Sequence, residues 1–204
     1  MLYGVRKYFS SAFRSESQVL VGLRPDEREL ISRIRRRKLT YLTDRKLASL
    51  ATTCTAIEEE GRPGIFLEAG CALGGSSILM ASIKTDRRPL FIYDVFGMIP
   101  APTAEDTEDV HARYRKIAAG QSKGIGGDKY YGYEKDLYET VQSNLQRFGV
   151  NLERQRVHLV KGLIQDTLKI DQPVAFAHID VDWFAPVMTC LERVFPRLVI
   201  GGRV

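Results

Sequence analysis

The chain contains the segment GIFLEAGCALGGS at residues 64–76. Its first part, residues 65–68, is an apolar run closed by an acid, which is typical of a strand buried on both faces of a parallel sheet. Gly70 and Gly74 follow, and Ser76 opens a helical stretch. Glycines at such a strand end let the backbone approach a ligand, and a helix N-terminus offers free N–H groups. The segment therefore predicts a strand–loop–helix unit with a ligand at the loop.

The loop does not match the common nucleotide-binding patterns. It has the form Glu68-x-Gly70-x-x-x-Gly74, with Ala72 where a dinucleotide-binding loop has its middle glycine. It also lacks the Gly-Lys-Ser/Thr of a phosphate loop. These differences favour a ligand held by carboxylates and backbone contacts over a pyrophosphate. The alternative is a tight turn that only closes the strand onto the helix.

Outward from this segment, apolar runs alternate with helical stretches. Further strands are predicted at 90–93, 157–160, 174–179 and 198–200, and helices at about 25–39, 43–60, 76–83, 137–148 and 186–194. This alternation predicts an α/β fold, a doubly wound parallel sheet with both faces covered. Residues 97–128 read as irregular, which is typical of a lid or a disordered excursion. Gly201-Gly202 reads as a turn just before Val204, so we expect the chain to be truncated within its sheet.

Composition sets limits on the class of protein. The 204 residues are 44% hydrophobic and 27% charged, as in a globular chain, and no run of 18 apolar residues predicts a membrane span. Three cysteines form no C-x-x-C pair, which favours a reducing, cytoplasmic location. Twelve of the 30 Lys and Arg residues but only five of the 25 acids lie in residues 1–50. We expect a basic helical segment over 1–50 and a ligand-binding domain over 51–204.

The basic segment has two interpretations. Acids precede the basic run within the predicted helix, an order that complements the helix dipole and favours a solvated helix. A site for a polyanion is the alternative, but no aromatic residues are interleaved with the basic ones, so nucleic acid is disfavoured as a partner.

Polar residues follow each of the next three predicted strands. Asp94 ends the second strand, where an acid can accept both hydroxyls of a ribose. Asp166 follows the third strand, either as a ligand contact or as a helix cap. Asp180 and Asp182 follow the fourth and suit a hard cation such as Mg²⁺. His178, among apolar residues in that strand, is interpreted as a core histidine.

Taken together, these motifs resemble a known family. Residues 40–204 are similar to the macrocin O-methyltransferase family, within the class I S-adenosylmethionine-dependent methyltransferases. The motifs that carry the resemblance are Glu68-Ala69-Gly70, Gly74-Gly75-Ser76, Tyr93-Asp94-Val95-Phe96-Gly97-Met98-Ile99-Pro100, Val160-Lys161-Gly162, Asp166-Thr167-Leu168, Ile179-Asp180-Val181-Asp182, Phe195-Pro196-Arg197-Leu198 and Gly201-Gly202. In the family, a further strand ending in an Asp-Asp pair usually follows the Gly-Gly turn, and a Tyr usually stands at the position of Trp183-Phe184.

The resemblance implies a Rossmann-like fold, S-adenosylmethionine as cofactor and Mg²⁺-dependent methyl transfer to a hydroxyl of a sugar or glycosylated small molecule. It implies that Asp94 holds the ribose, that Asp166 lies near the adenine, and that Asp180 is both a metal ligand and the candidate base, with Asp182 as second metal ligand. It assigns cofactor binding also to the loop residues Glu68, Gly70, Gly74 and Ser76.

Three alternatives stay open at this point. Asp180-x-Asp182 also fits a glycosyltransferase that binds a nucleotide-sugar through Mn²⁺, although the glycine loop and Asp94 do not. The chain could instead be a cofactor-binding fragment without catalysis, or an RNA methyltransferase that uses the basic segment. A homo-oligomer is left open.

Overall fold

The computed structural model describes residue 20 and residues 22–204. Residues 1–19 and 21, which belong to the basic segment predicted over 1–50, lie outside the described residues. The strands are β1 Ile65–Ala69, β2 Leu90–Asp94, β3 Val157–Lys161, β4 Val174–Ile179 and β5 Leu198–Arg203. The helices are α1 Pro25–Arg36, α2 Asp44–Glu59, α3 Gly75–Ile83, α4 Glu108–Ala118, α5 Leu137–Arg147, α6 Ile164–Thr167 and α7 Phe184–Val194.

All five strands are parallel, in the order β3-β2-β1-β4-β5. The chain builds outward from β1 in one direction through β2 and β3, then returns to the other side of β1 with β4 and β5. Ligands in doubly wound sheets bind at the carboxyl ends of the strands where the order reverses. The predicted α/β class is confirmed, and the reversal lies between β1 and β4.

Successive residues of β1 face opposite sides of the sheet, and both sides are covered. Phe66 belongs to the larger core, which includes residues of α1, α2, α3 and α5. Leu67 belongs to the second core, together with Cys190 and Val194 of α7. All five β1 residues are buried, which explains why their sequence is an unbroken apolar run apart from Glu68.

Two details differ from the sequence predictions. Residues 97–128 are not irregular throughout, because α4 lies within them. Gly201 and Gly202 lie inside β5 and do not form a turn outside it.

The sequence signal for α4 is weak because few apolar side chains of this helix are buried. Its first turn carries Glu108 and Asp109 and its last turn carries Arg115 and Lys116, as a dipole-matched helix should. Ile117 is its only fully buried residue, and Val110 and Tyr114 pack half-buried in the same cluster at helical spacing, so the apolar stripe that reveals an amphipathic helix is present but short.

None of the helices in the described part of the chain is both long and apolar enough to cross a membrane.

Candidate functional site

A cavity of about 270 Å³ opens at the carboxyl ends of the strands. The loop after β1 contributes Gly70 to its lining, β2 contributes Asp94, and the segment after β4 contributes Asp180 and Asp182. Ser76, near the start of α3, also lines it. The structure thus brings together five of the eight predicted site residues, in the place where the order of strands reverses.

Asp94 fixes the glycine loop from the neighbouring strand. Its Oδ2 accepts a hydrogen bond from the Cys71 N–H at 2.8 Å, and its Oδ1 accepts one from the Phe96 N–H at 2.7 Å. The side chain is 8% exposed. Burial raises the pKa of Asp94 above its ordinary value, while the N–H donors oppose that shift. Asp94 is therefore a buried acid that joins two loops at the cavity wall.

Gly70 allows the close approach of two strand ends. Its φ is +86°, and a side chain there would collide with the backbone carbonyl of Asp180. The Asp180 N–H donates to the Ala69 carbonyl at 2.8 Å, so the backbone of Asp180 is held against the end of β1. Position 70 therefore requires a glycine, both because of its positive φ and because the Asp180 backbone comes so close. Gly74, at φ +87°, precedes α3 and does not line the cavity.

Glu68 lies beneath the loop and away from the cavity lining. It is fully buried, its Oε2 accepts a hydrogen bond from the Ser77 hydroxyl, and its Oε1 lies 3.1 Å from His178 Nδ1. Burial lowers the pKa of His178, but the hydrogen bond and charge of Glu68 outweigh burial and raise it above the ordinary value. His178 is thus a partnered histidine of the sheet, and Glu68 ties β1 to α3 and β4.

After the third strand, Gln165 and not the predicted Asp166 lines the cavity. Asp166, predicted near an adenine, is exposed and does not line the cavity. Gln165, one residue earlier, does line it, and the Gln165 Oε1 atom is buried without a hydrogen-bond partner among the described residues. A buried carbonyl oxygen without a donor is costly, and a bound ligand with an N–H group would relieve that cost.

Asp180 and Asp182 share the cavity with Arg113 from α4. Burial raises the pKa of Asp182; the positive charge of Arg113 opposes that shift and the negative charge of Asp180 adds to it. Among the described residues, no cluster of three or more His, Cys, Asp or Glu side chains is arranged to hold a metal. The two carboxylates therefore stand as an acidic pair in the cavity.

Tyrosines form a wall that the sequence analysis did not single out. Tyr130 and Tyr131 line the cavity with Tyr41, and the Tyr41 and Tyr131 rings meet edge-to-face at 5.9 Å. Burial raises the pKa of the Tyr131 phenol, and the carboxylates of Asp94 and Asp182 add to the shift. The sequence holds one signal for this wall, a cluster of three tyrosines at residues 130–133 next to a helix.

Comparisons with known proteins agree with this architecture. The family described as "Macrocin-O-methyltransferase (TylF)" matches residues 5–204. A curated relative from Streptomyces olivaceus, "8-demethyl-8-(2,3-dimethoxy-alpha-L-rhamnosyl)-tetracenomycin-C 4'-O-methyltransferase", is 28% identical over 167 residues, which cover 78% of this chain and 58% of the relative. The chain thus spans less than two thirds of that relative's length.

Two solved structures share the fold. The O-methyltransferase NovP superposes with a TM-score of 0.66 at 19% identity, over 80% of this chain and 64% of NovP. The structure of Podospora anserina methyltransferase PaMTH1 bound to S-adenosylhomocysteine superposes with a TM-score of 0.53 at 14% identity, over 99% of this chain and 71% of PaMTH1. The sheet order, the glycine loop and the match along nearly the whole sequence lead to one conclusion: the chain belongs to the macrocin O-methyltransferase family.

Proposed function

We propose that this protein transfers the methyl group of S-adenosylmethionine to a hydroxyl of a sugar on a small molecule. The observation that carries the proposal is one cavity that combines two chemically different groups of residues. The glycine loop and Asp94 form the first group, and Asp180 and Asp182 form the second. The relative from Streptomyces olivaceus is named for 4'-O-methylation of a rhamnosyl compound, which supports the same acceptor class here.

Cofactor binding is assigned to the first group of residues, together with Ser76 and Gln165. Asp94 would accept the ribose hydroxyls, and Gly70 and Ser76 would border the methionine portion. Gln165 replaces Asp166 in our assignment, because its buried Oε1 is available to an adenine amino group. Glu68 and Gly74 would act indirectly, by holding the loop and the start of α3 in place.

The chemistry needs alignment and a proton acceptor. The hydroxyl oxygen attacks the methyl carbon, the carbon–sulfur bond breaks with its electrons moving to sulfur, and the hydroxyl proton leaves. An alcohol is a weak nucleophile at neutral pH, so a carboxylate close to the hydroxyl assists by accepting that proton. We assign this role to Asp180, whose backbone is held against β1. Residues 97–128 would cover the acceptor and exclude water.

Mg²⁺ dependence is part of the proposal. Mg²⁺ is commonly held by one or two carboxylates and several waters, and Asp180 and Asp182 present that number of carboxylates in an open cavity. The donor set therefore fits, with Asp180 and Asp182 as ligands. When bound, the ion would lower the pKa of an oxygen that it contacts.

The test is a comparison of two ligands by calorimetry, followed by a transfer assay. S-adenosylhomocysteine, and separately a nucleotide-sugar with Mn²⁺, are titrated into the protein. Methyl transfer is then followed from labelled S-adenosylmethionine to a rhamnosylated tetracenomycin lacking the 4'-O-methyl group. Saturable S-adenosylhomocysteine binding with label in the glycoside supports the proposal. Binding of the nucleotide-sugar alone would overturn it in favour of glycosyl transfer, and binding of neither would contradict both functions.

A further inference from the structure

The turn that carries Asp182 is anchored at both of its ends. It begins at Asp180, whose N–H donates to Ala69 of β1 at 2.8 Å. It ends where α7 starts, and there the Phe184 N–H donates to Oδ1 of Asp106 at 2.9 Å. Asp106 lies 78 residues earlier in the chain, between β2 and α4. Asp182 therefore lies between one anchor in the sheet and one anchor in the segment before α4.

The second anchor replaces a missing helix cap. Trp183 occupies the N-cap position of α7 and offers no side-chain acceptor to the first turn. Free N–H groups at a helix start need acceptors, and an Asp at the N-cap normally supplies one. Asp106 provides this acceptor from a distant part of the sequence, so the position of the α7 start depends on the segment that holds Asp106.

Further contacts bind the same segment to Trp183. The Trp183 indole N–H donates to the Pro100 carbonyl at 3.0 Å, and the Arg113 guanidinium lies 5.6 Å from the centre of the indole ring. The ring is 8% exposed and packs with Ile99 and Ile117. Asp106 is itself held, because its Oδ2 accepts a hydrogen bond from the Thr103 N–H at 2.8 Å. Residues 100–113 thus surround the last part of the turn from several directions.

We propose that Asp106 is a positioning residue for acceptor binding, acting through the backbone of Phe184 to fix Asp182. This inference rests on the proposed function. Loss of the Asp106 carboxylate frees the α7 side of the turn and displaces Asp182. It leaves Asp180 on its β1 anchor and leaves the Asp94–Cys71 contact intact. The effect should appear in acceptor kinetics and spare cofactor affinity.

The test compares Asp106→Ala with Asp106→Asn and with Asp109→Ala. The Asn side chain keeps one oxygen that can accept from the Phe184 N–H, but its amide nitrogen cannot accept from the Thr103 N–H, so it should rescue the defect in part. Asp109 is an exposed acid in the first turn of α4 that does not line the cavity, which makes Asp109→Ala the matched control. Three quantities are measured: the Kd for S-adenosylhomocysteine, kcat and acceptor KM for methyl transfer, and acrylamide quenching of Trp183, the single tryptophan of the chain.

We expect Asp106→Ala to lower kcat/KM for the acceptor at least tenfold and to raise the quenching constant of Trp183 at least twofold. The Kd for S-adenosylhomocysteine should stay within twofold of wild type. Asp106→Asn should recover part of the activity, and Asp109→Ala should match wild type. Unchanged Trp183 quenching or unchanged acceptor kinetics in Asp106→Ala would overturn the inference, as would an equal loss in Asp109→Ala. Failure of the wild-type protein to bind S-adenosylhomocysteine would instead contradict the proposed function.

Discussion

Asp94 and Cys71 are joined across the first two strand ends by a hydrogen bond of 2.8 Å from the Cys71 N–H to the Asp94 carboxylate. The second carboxylate oxygen accepts from the Phe96 N–H, so both oxygens already hold the backbone of a loop that borders the cavity. Asp94 therefore has two tasks in the proposed site. It shapes the glycine loop, and its remaining lone pairs would accept the ribose hydroxyls.

Replacement of Asp94 by Ala should weaken S-adenosylhomocysteine binding at least tenfold, about 1.4 kcal/mol, because both the loop contact and the ribose acceptor are lost. Calorimetry gives the Kd. Asp86→Ala is the control, since Asp86 is a half-exposed acid paired with Arg154 on the surface. Equal affinity in wild type and Asp94→Ala would contradict the ribose assignment.

Replacement of Gln165 by Ala should remove the acceptor of the adenine amino group. We expect a several-fold weaker affinity for S-adenosylhomocysteine, since a single neutral hydrogen bond contributes about 1 kcal/mol. S-inosylhomocysteine, which carries an oxygen in place of the amino group, provides the sharper measurement. Wild type should prefer the adenine compound, and Gln165→Ala should lose most of that preference. A preference that persists in the variant would place the adenine elsewhere.

Gly70→Ala should destabilise the protein more than Gly149→Ala, although the two glycines have almost the same φ of +86° and +87°. Both substitutions strain the backbone, at a cost of about 1 kcal/mol. Only the new Cβ at position 70 meets the backbone of Asp180, whereas the space around Gly149 is open. The collision should add roughly 1–3 kcal/mol to the loss of unfolding free energy. Urea denaturation measures the unfolding free energy of each variant. Equal losses in the two variants would show that the strand ends can separate at little cost.

Removal of divalent cations by EDTA should abolish methyl transfer and leave S-adenosylhomocysteine affinity unchanged, because the proposed metal ligands are not among the residues assigned to the cofactor. Added Mg²⁺ should restore turnover in wild type. In Asp182→Asn, a higher Mg²⁺ concentration should be needed for half-maximal activity. Full turnover in EDTA would show that Asp180 and Asp182 serve without a metal.

Lys84 should produce a pH dependence of stability above neutrality. The side chain is 4% exposed and its ammonium group donates to the Gln155 carbonyl; burial lowers its pKa to about 8 from an ordinary value of 10.5. Between pH 8 and pH 10.5, the Lys84 side chain binds more protons in the unfolded chain than in the folded one. Lys84 therefore makes the free energy of unfolding rise with pH over this range, by at most about 3 kcal/mol. The difference in unfolding free energy between wild type and Lys84→Met should follow that rise from pH 8 to 10.5. A difference that is flat over this range would contradict it.

The sequence predicted the central sheet well because the central strands are buried on both faces. Residues of β1 cannot be polar without a partner, and Glu68, the one exception, has its partners in Ser77 and His178. Asp94, Asp180 and Asp182 could be predicted for a related reason. A parallel sheet places all its carboxyl ends on one edge, so strand position alone brings these acids together.

Other parts of the site depend on information that local sequence does not contain. Whether Gln165 or Asp166 faces the cavity is decided by the rotation of a one-turn helix, which neighbouring polar residues do not reveal. Tyr41 lines the cavity beside Tyr131, which lies 90 residues later in the chain. The α4 helix escapes detection because its apolar stripe is short and Ile117 alone is fully buried.

The contact between the start of α3 and Leu39 limits where this protein can be truncated. The Gly75 N–H donates to the Leu39 carbonyl at 3.0 Å, and a side chain at Gly75 would collide with Leu39 and Thr40. Thr40 and Tyr41 then continue along the cavity wall. A fragment that begins at residue 51 would keep every strand of the sheet and lose one side of its binding site. The smallest unit expected to hold a ligand as the whole chain does must therefore begin ahead of Leu39.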